Sequence, residues 1–209
     1  MNEAGRHRSN SPAQPGRAGL EDLSPSYFAL VMATGIVSLA AHQNGLEIIA
    51  HTLFWFNVFA WSLLWWLNGL RMLRYPGRFF VDMVDHVRGP GFFSSVAGTA
   101  VLGAQVMILV NGGERIAFAL LGLALLLWVG LTYTIFAAFT IKEVKPTLDK
   151  GISGGWLLAV VAPQSLAVLS ELLAAHAHPH WRLVLNFFAL SMWLWGGMLY
   201  IWMMSLIFY

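Results

Sequence analysis

The chain has 209 residues, 58% of them hydrophobic and 11% charged, with a mean hydropathy of +0.66. Soluble domains carry about 25% charged residues, so most of these side chains face something other than water, and the chain reads as an all-α membrane protein. A net charge of +2 with dispersed basic residues offers no tract suited to nucleic acid, and the absence of Cys removes disulfides, thiolate nucleophiles and thiolate-held metals.

Residues 1–24 are rich in Pro, Ser, Gly and Arg and contain no apolar run, which predicts a disordered tail. A bilayer core takes about 20 mainly apolar residues per helix. Six such spans follow, over residues 27–41, 48–70, 92–110, 116–141, 156–173 and 183–209. The first is short, and Ser24 and Pro25 extend it as a helix cap and first helical residue. Glu21 and Asp22 stand where a cleaved signal peptide would carry positive charge, so this span is read as retained. Ten of the twelve Lys and Arg fall in the tail or in the second-to-third and fourth-to-fifth connections; only Arg115 and Arg182 lie on the other side. The positive-inside rule then predicts a multi-pass protein of the cell membrane with a cytoplasmic N-terminus.

Odd and even spans differ in kind. Of the ten Trp, nine lie in or beside even spans, whereas the odd spans read MATGIVSLAA, SSVAGTAVLGAQ and VVAPQSLAVLS. Small residues let helix backbones approach closely, while Trp and Phe suit lipid and the headgroup boundary. Odd spans are therefore expected inside and even spans outside. The alternation recurs about every 60 to 65 residues, which predicts three helical hairpins over residues 25–72, 90–142 and 151–209 of a transmembrane domain spanning 25–209.

The odd spans also carry the candidate functional residues. Thr34, Ser38 and His42 follow an i, i+4, i+8 spacing with Gly35 beside them, and Ser95 and Thr99 stack in the same way beside Gly98. Such stripes either face a pore or bond back to their own helices and aid packing. Pro163 removes one helix hydrogen bond inside the fifth span and is expected to kink it, with Gln164 lining whatever opens. We take Thr34, Gly35, Ser38, Ser95, Gly98, Thr99, Pro163 and Gln164 as candidate pore-lining residues. No charged residue sits at mid-membrane depth, which argues for a passive path over a proton-coupled carrier and leaves no general acid or base for catalysis. In AAHAHPHWR, an extended backbone would put His176, His178 and His180 on one side as a donor set for Zn, Ni or Cu; without a carboxylate in the tract, a solvated external loop is the simpler reading.

The segments VMATGIVSLAA, DHVRGPGFF and KPTLDKGISGGWLLAVVAPQSLAVL occur in the order found in the tellurite-resistance and C4-dicarboxylate transporter family. That family includes fungal malate and sulfite carriers and the slow anion channels of plant guard cells. From about Ser24 onward the chain resembles its members. The resemblance implies ten helices in five hairpins with quasi-fivefold symmetry, odd helices lining a pore, small anions as the permeant species and trimers of complete pores; no cofactor is expected. The family's gating phenylalanine lies on a ninth helix and has no counterpart among six spans, so the chain is expected to be a C-terminally truncated piece. The favoured function is passage of a C4-dicarboxylate, a tellurite- or sulfite-type oxyanion or a halide. The rival is a noncatalytic membrane subunit or fragment that only packs with partners; an intramembrane enzyme ranks third.

Overall fold

The computed structural model describes residues 19–141 and 153–208. Most of the expected tail, and the fourth-to-fifth connection with Lys142, Lys145 and Lys150, lie outside the described residues. The helices are α1 (Phe28–Gln43), α2 (Glu47–Arg74), α3 (Pro76–Met83), α4 (Phe93–Leu109), α5 (Glu114–Ile141), α6 (Leu157–His176) and α7 (Pro179–Ile207). Six of them, all but α3, are long and apolar enough to cross a membrane. Each inner helix is led in by a 3-10 turn, at Pro25–Tyr27, Gly89–Phe92 and Gly154–Trp156. Ser24 caps the first of these, its Oγ accepting from the Ser26 N–H, with Pro25 in the first position.

Consecutive long helices pack against one another. Ser38 meets Ala50, Gly103 meets Leu120, and Gln164 meets Trp193. Farther from each connection, Phe28 meets Trp65, Ser95 shares a cavity with Leu127, and Gln164 approaches Gly196. Within each of the first two pairs the residue numbers run in opposite senses, the signature of antiparallel neighbours. Between α1 and α4 they run together, since Gly98 lies on Phe28 and Val31 while Gly35 lies on Val101 and Gln105. The inner helices thus form an arc, α1 then α4 then α6, in which α4 is flanked on both sides. Helices α1 and α6 make no extended contact with each other, so the arc stays open.

Burial follows this arrangement with one departure. The apolar window of α4 is 78% buried and that of α6 61%, against 28% for each outer helix; α1, at 33%, resembles the outer helices. The reason is neighbours. Helix α4 also packs on α2, and α6 on α5, each the outer helix of the preceding pair, whereas no described pair precedes α1. Small residues on α4 make its central position possible. A Cβ at Gly98 would lie 3.2 Å from the Phe28 carbonyl oxygen and 3.4 Å from the Val31 side chain.

At the end of the bundle rich in Arg, a charge cluster ties the leading segment to the core. The Arg71 side chain is wholly buried, pairs with Asp82, and donates from Nε to the Glu21 carbonyl at 3.2 Å. Arg88 reaches the same Asp82 oxygen at 2.8 Å, and Arg78 pairs with Glu21 at 2.9 Å. Residues 20–22, assigned to the tail by composition, therefore form a 3-10 turn docked on α2. Helix α3 had no counterpart among the six spans because its eight residues are too few to cross a bilayer; Pro76 stands in its first turn.

Overpacking a close helix contact costs about 1 to 3 kcal/mol. Gly98→Leu should lower thermal stability in detergent measurably, whereas Gly122→Leu on α5, where an added Cβ meets nothing within 4 Å, should leave it nearly unchanged. Equal losses in a melting assay would show that the α1–α4 approach is not limiting.

Candidate functional site: the groove along the inner helices

The parallel course of α1, α4 and α6 leaves a groove of about 280 Å³ on the concave side of the arc. Met32, Ile36 and Leu39 come from α1, Ala100, Val101 and Ala104 from α4, and Val160, Val161, Gln164, Ser165 and Val168 from α6. Among the described residues no ionisable side chain lines it, and the polar side chains on it are Gln164 and Ser165. The Ser165 hydroxyl donates to the Ala162 carbonyl at 2.7 Å, and Gln164 Nε2 donates to the Trp193 carbonyl at 3.1 Å.

Of the eight residues singled out in the sequence, Gln164 is the one on this wall. The hydroxyl stripes are used between and within helices. Ser38 donates to the Ala50 carbonyl of α2 at 2.8 Å, Ser95 to Phe92 at 2.7 Å and Thr99 to Ser95 at 2.7 Å; Thr99 also accepts from the Trp61 indole at 3.0 Å. Gly35 and Gly98 lie in the α1–α4 contact, and Thr34 is half-buried on α1. Pro163 is buried, and α6 is assigned as one helix across it. A back-bonded hydroxyl satisfies itself, so periodicity alone could not say which way these side chains point.

Behind the wall lies a polar contact that the stripes did not reveal. Asn57 of α2 and Gln105 of α4, both wholly buried, meet with Asn57 Nδ2 donating to Gln105 Oε1 at 2.6 Å. Gly35 provides the room, because a Cβ there would lie 3.0 Å from Asn57 Nδ2 and 3.1 Å from Gln105 Oε1. Asn57 Oδ1 and Gln105 Nε2 are left without partners. An amide among the aromatic and aliphatic residues of FWFNVFAW was the available signal for Asn57.

The His tract is not extended. His176 ends α6 with its ring against the Leu172 carbonyl, His178 caps α7, and His180 sits in the first turn of α7 against Trp181. Among the described residues no three His, Cys, Asp or Glu side chains gather as a metal site.

A multi-pass helical membrane protein with an uncharged groove between its inner helices has a surface suited to passage and no poised nucleophile or acid–base pair along that groove. The chain matches the SLAC1 family model, voltage-dependent anion channel, over residues 22–209, and it belongs to that family. No curated protein and no solved structure matches it. Family membership implies anion transport through a channel-like membrane protein.

Leaving a buried hydrogen-bonding group unsatisfied costs about 1 to 3 kcal/mol, while replacing both partners by apolar groups can be nearly neutral. Gln105→Leu should therefore lower the melting temperature, and the double variant Asn57→Leu, Gln105→Leu should recover most of the loss. Additive losses in the double variant would mean that the two amides are not coupled.

Proposed function

We propose that the chain supplies part of the wall of a passive pathway for small anions, with the groove along α1, α4 and α6 as its lining. The observation that carries this is the uncharged concave face shared by three parallel inner helices. Without a charged ring, such a wall discriminates by width, by the few polar groups it offers and by the long-range field. The cargo is a small oxyanion of the tellurite or sulfite type, a C4-dicarboxylate or a halide. Gln164 faces the path. Gly35 and Gly98 shape it by letting α1 close on α4, with Thr34 adjoining Gly35, while Ser38, Ser95 and Thr99 hold the inner helices in register. Pro163 sets the backbone immediately before Gln164.

The open side between α1 and α6 supports a larger ring as the complete pathway, in the manner of ten helices with quasi-fivefold symmetry, and such pores would pack as trimers. The same open side gives the rival reading its footing, since a membrane subunit that only packs with partners needs no closed path. Reconstituted in liposomes, a conductance carried by this protein should have a reversal potential that follows the chloride or malate gradient. Ile36→Trp, on the groove and half-exposed, should reduce it severalfold with the amount of inserted protein unchanged. A reversal potential that follows potassium, or indifference to Ile36→Trp, would overturn the assignment; no conductance at any protein-to-lipid ratio is what the rival predicts.

The N-terminus is proposed to be cytoplasmic, on the distribution of Lys and Arg. Because the chain has no Cys, single cysteines report without background. In intact cells Gly77→Cys should resist an impermeant thiol reagent and His178→Cys should react; the opposite pattern would invert the topology.

A further inference from the structure

The groove along α6 continues beyond Val168. A second cavity, of about 480 Å³, opens between α6 and α7 and shares Gln164 and Val168 with the groove. Glu171 of α6 lines it, together with Asn186, Leu190 and Trp193 of α7. Seven residues separate Gln164 from Glu171, which is two helical turns less about 20°. The carboxylate therefore stands almost directly above the Gln164 amide, about 10 Å farther from the Arg-rich end where α6 begins. It lies five residues before the end of α6.

Among the described residues no ion pair or hydrogen bond engages the Glu171 carboxylate. The two bases near it are placed elsewhere. The His176 ring lies against the Leu172 carbonyl, and Arg182, one turn before Asn186 on α7, is exposed and is not part of the cavity wall. An otherwise uncharged path thus carries one unpaired negative charge toward one of its ends. A unit charge about 6 Å away, the spacing of side chains at i and i+3, lowers the local concentration of a monoanion about threefold even at the dielectric of water. For a dianion the factor is squared, to about tenfold.

We propose that Glu171 is a specificity-determining residue of the anion pathway, holding back dianions more strongly than monoanions at the mouth farther from the Arg-rich end. This rests on the pathway reading above and narrows its cargo, since a halide or a singly charged oxyanion enters past Glu171 more readily than a C4-dicarboxylate. The discrimination acts on ions arriving from that side alone.

The test uses the whole chain. In excised patches at low ionic strength, with chloride on one face and malate on the other, Glu171→Gln should raise the permeability of malate relative to chloride about threefold. The change should appear when malate is presented to one face and not to the other, and it should fade in high salt. Glu171 is exposed and Gln matches its shape, so loss of fold does not confound the comparison. A second measurement needs no conduction, because the chain has no Cys of its own. Val168→Cys should react about tenfold faster with a cationic methanethiosulfonate than with an anionic one, after correction for their rates with a free thiol, and adding Glu171→Gln should level the two. A conducting chain whose permeability ratio ignores Glu171→Gln, or equal rates at Val168→Cys beside the native Glu171, would overturn the proposal and leave the pathway standing. A chain that carries no anion would overturn both.

Discussion

Everything in this bundle depends on how closely α4 can be approached. Helices in lipid gain little from leaving it, since the surrounding tails are as apolar as the side chains, so association rests on van der Waals contact and on hydrogen bonds between helices. Helix α4 meets that constraint with Gly98 against Phe28 and Val31 and Gly103 against Leu169 and Leu120. Because α4 touches both α1 and α6, its small residues determine the curvature of the arc and hence the groove. Large side chains in the same places would push the pairs apart and leave three separate hairpins in lipid.

Polar groups are spent at positions where they fix that geometry. The Asn57–Gln105 contact joins an outer helix to the central one with both amides wholly buried, and Trp61 also bridges the two helices through Thr99. At the Arg-rich end, the buried Arg71 holds Asp82 of α3 and the Glu21 carbonyl together. A buried ion pair is weak evidence for stability, because desolvation offsets its attraction, but losing one partner strands the other charge. The cluster therefore acts as a register device. It fixes where the leading turn and α3 lie relative to the first two long helices.

The groove and the membrane-depth sequence share one character. Proton-coupled carriers use ionisable side chains within the bilayer, and among the described residues none lines the wall built from α1, α4 and α6. What remains is a surface of Ala, Val, Ile, Leu and Met with Gln164 and Ser165, a lining with little to hold an ion tightly. Family membership as a voltage-dependent anion channel fits that character.

Composition and periodicity were enough to give an all-helical membrane protein, six spans and the contrast between Trp-rich and small-residue helices, because each of these depends on local hydropathy or on residue size. They also placed α1 with α4 and α6 as inner helices; α4 and α6 are buried far beyond the outer helices, whereas α1, at 33%, is not, because its burial depends on which neighbours surround it. Direction around the helix axis was not legible. Thr34, Ser38, Ser95 and Thr99 fall on tidy helical stripes, yet a hydroxyl can satisfy itself on its own segment or on the next helix, and Ser38 donates to α2 while Ser95 donates to the turn leading into α4 and Thr99 to α4 itself. Likewise Asn57 and Gln105 are 48 residues apart, and nothing local to either announces the other. The sequence determined which segments enter the membrane and which are slender enough to pack at the centre; only the tertiary structure decided which faces meet, because that depends on contacts between residues far apart in the chain.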